Sequence, residues 1–316
     1  MKISRYLPLI GITIFIYILW ATGASKILGS LRQINIKYFF LALLLTLPLL
    51  VIKALKWQVL IKACDANYPL ANCLSSWLIG FFVGLITPGR IGDLSRSLYL
   101  KESEDISLGK SLTTVFLDRI IDISILFCLA IFGILMFVFS YAIEGTYPLA
   151  IGILFLSFLI FLFIITREDL IRGFLKPFYE FFIPEKHKSQ LSNHFKEFYS
   201  GFGLIWSKKK ALVYATSLSL INWLVSIFMF YVLAIALNLR VSYQFLVFIV
   251  PPTILVEILP ISFSGLGTRD AALIFFLSFI SIPAEFAVSL SLSILSINYI
   301  IALLGFLIWT RNPMKF

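Results

Sequence analysis

Four arginines and five acids stand in or beside otherwise apolar stretches of this chain: Arg90, Arg96, Arg119 and Arg269, with Asp93, Asp118, Asp122, Glu257 and Asp270. Guanidinium forks match the oxygens of a phosphate or carboxylate, so arginines grouped at a chain break suit recognition of an oxyanion. An unpaired charge at the centre of a bilayer costs about 2.5–3.5 kcal/mol even on the mildest scale. Charges tolerated there are therefore either paired with one another or used on a ligand, and the two are compatible. The carboxylates Asp118 and Asp122 are four residues apart and share a helix face. They suit holding the Arg90/Arg96 cluster or relaying a proton, and equally suit a helix-start charge cluster at the membrane surface. Glu257 is a lone acid in an apolar run, fit either to titrate as a coupling group or to pair with an arginine.

Two stretches position these side chains. In GFFVGLITPGRIGDLSRSLYL, residues 80–100, apolar sequence breaks at Thr87-Pro88-Gly89. Pro88 lacks an N–H and restricts Thr87, while Gly89 tolerates a left-handed turn. In PISFSGLGTRDAALIFFL, residues 260–277, a second break carries Gly265, Gly267, Arg269 and Asp270. Backbone freed at membrane depth must be covered or must line a site. A helix starting at Gly89 or Gly267 would offer N–H groups and a positive dipole end to an anion. The expected substrate site, where the two turns meet, comprises Gly89, Arg90, Gly92, Asp93, Arg96, Asp118, Arg119, Asp122, Glu257, Gly265, Gly267, Arg269 and Asp270. The competing expectation is that Arg90–Asp93 and Arg269–Asp270 neutralise each other locally.

The composition excludes most other classes. Of 316 residues, 60% are hydrophobic and 13% charged, against about 45–50% and about 25% in soluble domains. Strand-like alternation is absent, which argues against a β-barrel. The net charge of +10 reads as basic loops facing anionic headgroups and not as a nucleic-acid surface. Cys64, Cys73 and Cys128 form no CxxC pair, and His187 and His194 sit apart in a polar loop, so no metal, disulfide framework or cofactor is expected. Neither GxSxG nor HExxH occurs, and no hydrolase is indicated.

Runs long enough to span, about 20 residues, cover 6–23, 38–60, 111–140, 147–166, 210–236 and 285–309, with broken stretches at 74–100 and 243–280. The expected fold is an all-α polytopic membrane protein, with six spanning helices and two re-entrant broken-helix hairpins in an inverted repeat. Its halves are 37–140 and 210–310 within a single domain, 1–316. Lys53 and Lys56 are expected to snorkel near a helix end, and 24–37 to form an external loop. The basic segment 167–209, with phenylalanines at near-helical spacing, is expected in the cytoplasm, either as an interfacial amphipathic pair or packed against the bundle. Both termini are then cytoplasmic and the protein lies in the cell membrane. Gly/Pro-interrupted segments at corresponding places in two halves point to a transporter site.

Three motifs in order, Pro88-Gly89-Arg90-Ile91-Gly92-Asp93 with Arg96, Asp118-Arg119 with Asp122, and Gly265-Leu266-Gly267-Thr268-Arg269-Asp270, make the chain resemble the lysylphosphatidylglycerol synthase transmembrane-region family, also called the flippase-like family. The likeness covers nearly the whole length. The family patterns are PGRxGExxR, ERxxD and GLGxRE, so Asp93, Asp118 and Asp270 each stand where a glutamate is usual, and Gly84 where asparagine is frequent. The resemblance implies a lipid flippase. In its best-known members this region moves aminoacylated phosphatidylglycerol and a separate soluble domain makes that lipid. No such synthase domain lies within these residues, so the chain is not expected to be an enzyme. Phosphate-containing glycero- or polyprenyl lipids are the expected substrates. An ion-coupled transporter of a small soluble anion, and a non-transporting partner of a lipid-modifying enzyme, are the alternatives. Anionic-headgroup lipids are the expected partners, with self-association and a lipid-modifying enzyme left open and no nucleic acid.

Overall fold

The computed structural model describes residues 7–104, 106–141, 147–167, 169–170, 173 and 191–311, and among them all regular structure is helical. In chain order these are α1 (Leu7–Thr22), α2 (Ala24–Arg32), α3 (Ile36–Leu44), α4 (Thr46–Ala63), α5 (Leu70–Ile86), a 3-10 helix (Pro88–Ser95), α6 (Arg96–Ser103), α7 (Leu108–Tyr141), α8 (Tyr147–Thr166), α9 (Leu191–Ser207), α10 (Lys209–Ala236), α11 (Tyr243–Ile258), α12 (Thr268–Ser278) and α13 (Ala284–Arg311). Four helical stretches are long and apolar enough to cross a membrane: Ile36–Ala63, which joins α3 to α4, then α7, α10 and α13. They coincide with four of the six expected spans. A fifth is reached if α1 and α2 are taken as one bent span.

That bend corrects the expected 24–37 loop. The chain turns by 82° at Gly23 and continues as the amphipathic helix α2, which buries Ile27 and Ser30. Its alternation of Lys26 and Arg32 with Ile27, Leu28 and Leu31 reads as a surface-lying helix once a turn lifts it from the span.

The chain forms two compact units. One comprises Met1–Leu49, Leu126–Leu154 and Trp223–Ile300; the other comprises Leu50–Ile125, Phe155–Asn222 and Ile301–Phe316. In the second unit Trp57, Leu60, Ile61, Leu100, Leu112, Val115, Leu117 and Phe198 are buried together. Helix α9 belongs to this core through Phe195, Phe198 and Ile205. The Thr113 hydroxyl of α7 donates to the Phe198 carbonyl at 2.7 Å. Between the two forms expected for this segment, α9 therefore takes the packed one. Phe174, Phe178, Phe181, Phe182 and His187 lie outside the described residues, as does the side chain of His194.

In the same unit the chain reverses at Thr87. The Thr87 hydroxyl donates to the Val83 carbonyl at 2.9 Å and accepts from the Gly92 N–H at 2.8 Å. The 3-10 helix then lies back along α5, with Gly84 against the Asp93 carboxylate and Gly80 against the Asp93 carbonyl and the Arg96 stem. A Cβ at Gly84 would sit 2.9 Å from Asp93 Oδ1, so a side chain there would displace the acid.

In the first unit α11 ends at Ile258, the chain turns through Ser264, Gly265 and Gly267, all at positive φ, and α12 begins. The turn is seated on α1: the Gly11 N–H donates to the Ile261 carbonyl at 2.8 Å. A Cβ on Gly267, whose φ is 83°, would collide with the Gly11 carbonyl oxygen. Left-handed backbone costs an L-residue about 1–2 kcal/mol and forced overpacking about 1–3 kcal/mol. Gly267→Ala is thus expected to destabilise by about 2–4 kcal/mol, read as a lower melting point in detergent. A melting point equal to wild type would show that α1 is not seated there.

Candidate functional site

The second unit gathers the charges of the first broken hairpin onto α4 and α7. Position 96 opens α6 and faces α7, where a four-residue step carries Asp118 and Asp122 on one side. Arg96, 1% exposed, places Nη2 at 2.5 Å from Asp118 Oδ2. Its guanidinium lies over the Trp57 ring at 4.9 Å, and the Trp57 Nε1–H donates to Thr114 Oγ1 at 3.0 Å. Arg96 Nε and Nη1 have no hydrogen-bond partner among the described residues. Arg119 pairs with Asp93. The guanidinium of Arg90 lies over the Phe81 ring at 6.0 Å, and Arg90 holds φ 54°. Positive φ is uncommon for a residue with a side chain and concentrates at functional turns.

Lys56 is a residue that sequence reasoning misplaced. It does not snorkel: it is 2% exposed, and its ammonium lies 2.9 Å from Asp118 Oδ1 and 2.5 Å from Asp122 Oδ1. It also donates to the Asp118 carbonyl at 3.2 Å. Ser219 of α10 completes Asp122 with a hydroxyl donated at 2.5 Å. Lys53, one helical turn before Lys56, sits over the Trp77 ring at 5.2 Å. A signal for Lys56 was present. Two carboxylates on one face, in a helix of membrane-grade hydropathy, require a cation from another element, and Lys56 lies in the preceding apolar helix. The carboxylate pair thus holds Arg96 and Lys56, while Asp93 is matched to Arg119 and not to Arg90.

The first unit builds a second, smaller site. Arg269 is fully buried. Its Nε donates to Ser291 Oγ at 2.8 Å, Nη2 to the Ser291 carbonyl at 3.0 Å, and Nη1 to Glu257 Oε2 at 3.2 Å. Glu257 is therefore arginine-paired. Asp270 does not take the partnership expected with its neighbour Arg269; its Oδ2 accepts the Gly267 N–H at 2.7 Å and caps α12 from within. An acid at the third helical position closing on the N-cap is a familiar way to occupy an orphan donor. The N–H groups expected to meet an anion are here used internally: Gly267 by Asp270, and in the first hairpin Gly92 by the Thr87 hydroxyl and Arg90 by the Thr87 carbonyl at 3.1 Å. Sequence reasoning missed Ser219 and Ser291, since serines on apolar helices carry no distinguishing pattern. No group of three or more metal-ligand side chains occurs among the described residues.

Comparison with known proteins places this arrangement. The chain is similar to the UPF0104 membrane protein MJ1595 of Methanocaldococcus jannaschii, with 26% identity over 314 residues, covering 96% of this chain and 93% of the relative. It is similar to the UPF0104 membrane protein PH1989 of Pyrococcus horikoshii, with 25% identity over 310 residues, covering 92% and 90%. A UPF0104 membrane protein of Methanothermobacter thermautotrophicus is 23% identical over 286 residues, covering 86% and 84%. No solved structure matches the chain. The profile described as the lysylphosphatidylglycerol synthase TM region matches residues 9–305, and with both motif-bearing breaks inside that match, the chain belongs to this membrane-protein family.

Proposed function

We propose that the protein is a lipid translocator that binds the phosphate of a membrane lipid at the first broken hairpin. The observation that carries this reading is the charge balance of that site. Lys53, Lys56, Arg90, Arg96 and Arg119 surround Asp93, Asp118 and Asp122, five cations against three carboxylates among the described residues. Excess positive charge is costly among apolar helices, and an anionic headgroup would offset it. Lys56 and Arg96 are engaged with the acids, whereas Arg119 is 31% exposed and Arg90 and Lys53 are half-buried. The latter three are the cations placed to meet a phosphate. A headgroup held by guanidinium and ammonium groups at a break in the helices, with its tails left in the bilayer, needs no enclosed aqueous path.

In this reading α1 and α8 also cross the membrane, bringing the crossings to six, and the basic ends of the chain face the cytoplasm. The protein acts without chemistry on the lipid. Its substrate is a glycero- or polyprenyl-phosphate lipid of the cell membrane.

Arg90→Gly tests the site in both directions at once. Glycine relieves a positive φ that costs an L-residue about 1–2 kcal/mol, so the variant is expected to melt at the wild-type temperature or above. It also removes a phosphate partner worth about 1.5–3 kcal/mol, which lowers translocation about tenfold or more. The measurement is movement of a head-labelled phospholipid across proteoliposomes, beside a thermal melt. A translocation rate equal to wild type, or a purified protein that moves no lipid, would remove the proposal.

A further inference from the structure

The first unit contains a groove that none of the charged sites uses. It has a volume of about 660 Å³ and runs between α1 and α12, within the range of about 300–1,000 Å³ typical of ligand sites. Ile14, Ile18, Ile274 and Phe275 supply apolar walls, while Lys26 and Glu285 stand at the groove as charged groups. No ion pair joins Lys26 to Glu285 among the described residues.

The depth of each part follows from the helices. The 82° turn at Gly23 lays α2 across the direction of the apolar α1, the posture of an amphipathic helix at a membrane surface. Tyr17 and Trp20 lie just before the turn, 64% and 81% exposed, with ring centroids 6.2 Å apart. Exposed Tyr and Trp near a span end mark the headgroup level. Lys26 on α2 and Glu285 in the first turn of α13 therefore stand at that level. Ile14 and Ile18 lie farther down α1, at about 1.5 Å per residue, among the acyl chains. The two charged groups are held in fixed relation, because Ser30 of α2 and Ser289 of α13 share a buried hydrogen bond of 2.6 Å and the Ser30 hydroxyl also meets the Glu285 carbonyl at 3.4 Å.

An apolar trough that ends in one separated cation and one anion matches an amphiphile carrying both charges. A purely anionic headgroup would face the Glu285 carboxylate. We infer that this groove holds a zwitterionic phospholipid, with its phosphate at Lys26, its ammonium at Glu285 and an acyl chain along Ile14, Ile18, Ile274 and Phe275. The bound lipid is distinct from the one moved at the hairpin site, and the assignment does not depend on translocation.

The test uses the full chain reconstituted in vesicles of equal parts phosphatidylethanolamine and phosphatidylglycerol, followed by native mass spectrometry of the released protein. The wild type is expected to keep phosphatidylethanolamine in preference to phosphatidylglycerol. Lys26→Ala should lower retention of both lipids about fivefold, as for one surface cation–phosphate contact. Glu285→Gln, a mild exchange on a partly exposed side chain, should keep a lipid bound but erase the preference. Ala271→Trp, which fills the trough, should remove the lipid. Equal retention of the two lipids by the wild type, or an undiminished preference in Glu285→Gln, would overturn the inference even if Ala271→Trp fails to fold. Arg90→Gly should retain phosphatidylethanolamine as the wild type does whether or not it translocates, and loss of retention in that variant would overturn the inference as well.

Discussion

Lys56→Ala is expected to be among the most damaging single substitutions in this chain. The ammonium of Lys56 bridges Asp118 and Asp122 in a site where all three are buried. Its removal leaves two carboxylates close together, with Arg96 and the Ser219 hydroxyl as their remaining close partners among the described residues. Truncating one partner of a buried ion pair costs about 3–5 kcal/mol, chiefly because the other charge stays behind unpaired. Thermal unfolding in detergent should show a loss of this size. The pairing argument makes a sharper statement: Lys56→Met combined with Asp122→Asn should recover a large part of what Lys56→Met alone loses, because the second change removes the stranded charge. A loss below about 1 kcal/mol, the usual worth of an exposed pair, would show that Lys56 reaches solvent as a snorkelling lysine does.

Arg269→Ala should be comparably severe in the other unit, for a different reason. There one guanidinium fork makes three separate hydrogen bonds, two to Ser291 and one to Glu257, in a fully buried position. Alanine leaves Glu257 without this cation and opens a cavity, for an expected loss of about 3–5 kcal/mol. Lysine should restore only part of it, since an ammonium cannot span the directions that the planar fork fills. Glu257→Gln should cost less, because a neutral amide can still accept from Nη1 and leaves both Ser291 bonds intact. Melting temperatures ordered wild type, Glu257→Gln, Arg269→Lys, Arg269→Ala from high to low would support the arrangement. Arg269→Lys equal to wild type would mean that the fork geometry carries no stability.

The places where the chain breaks were readable directly. Pro88 cannot donate to a helix ladder and Gly267 occupies a backbone region that costs other residues energy, so both interruptions followed from local covalent geometry. Four long helices were readable from the run lengths of apolar residues for the same kind of reason. The amphipathic α2 was less legible, because nine residues after a span resemble a loop until the turn at Gly23 is known. The packing of α9 was not legible at all. Its phenylalanine spacing suits a membrane surface and a protein core equally, and the contact of Phe198 with Thr113 decided between them.

Pairing within the sites shows the same limit. Adjacent charges such as Arg269 and Asp270 suggest a local pair, yet successive residues on a helix point about 100° apart and cannot face each other. Each acid therefore finds its partner elsewhere: Asp118 in Arg96, Asp93 in Arg119 and Glu257 in Arg269. By itself the sequence determined the membrane class, the position of both breaks, the family and the set of charges that had to be accommodated, since these depend on residue type and near neighbours. The tertiary structure alone decided which charges meet, that Lys56 serves two carboxylates and that Asp270 caps its own helix. Those outcomes depend on distances between segments remote in the chain, and a low-dielectric interior makes such distances decisive for every buried charge.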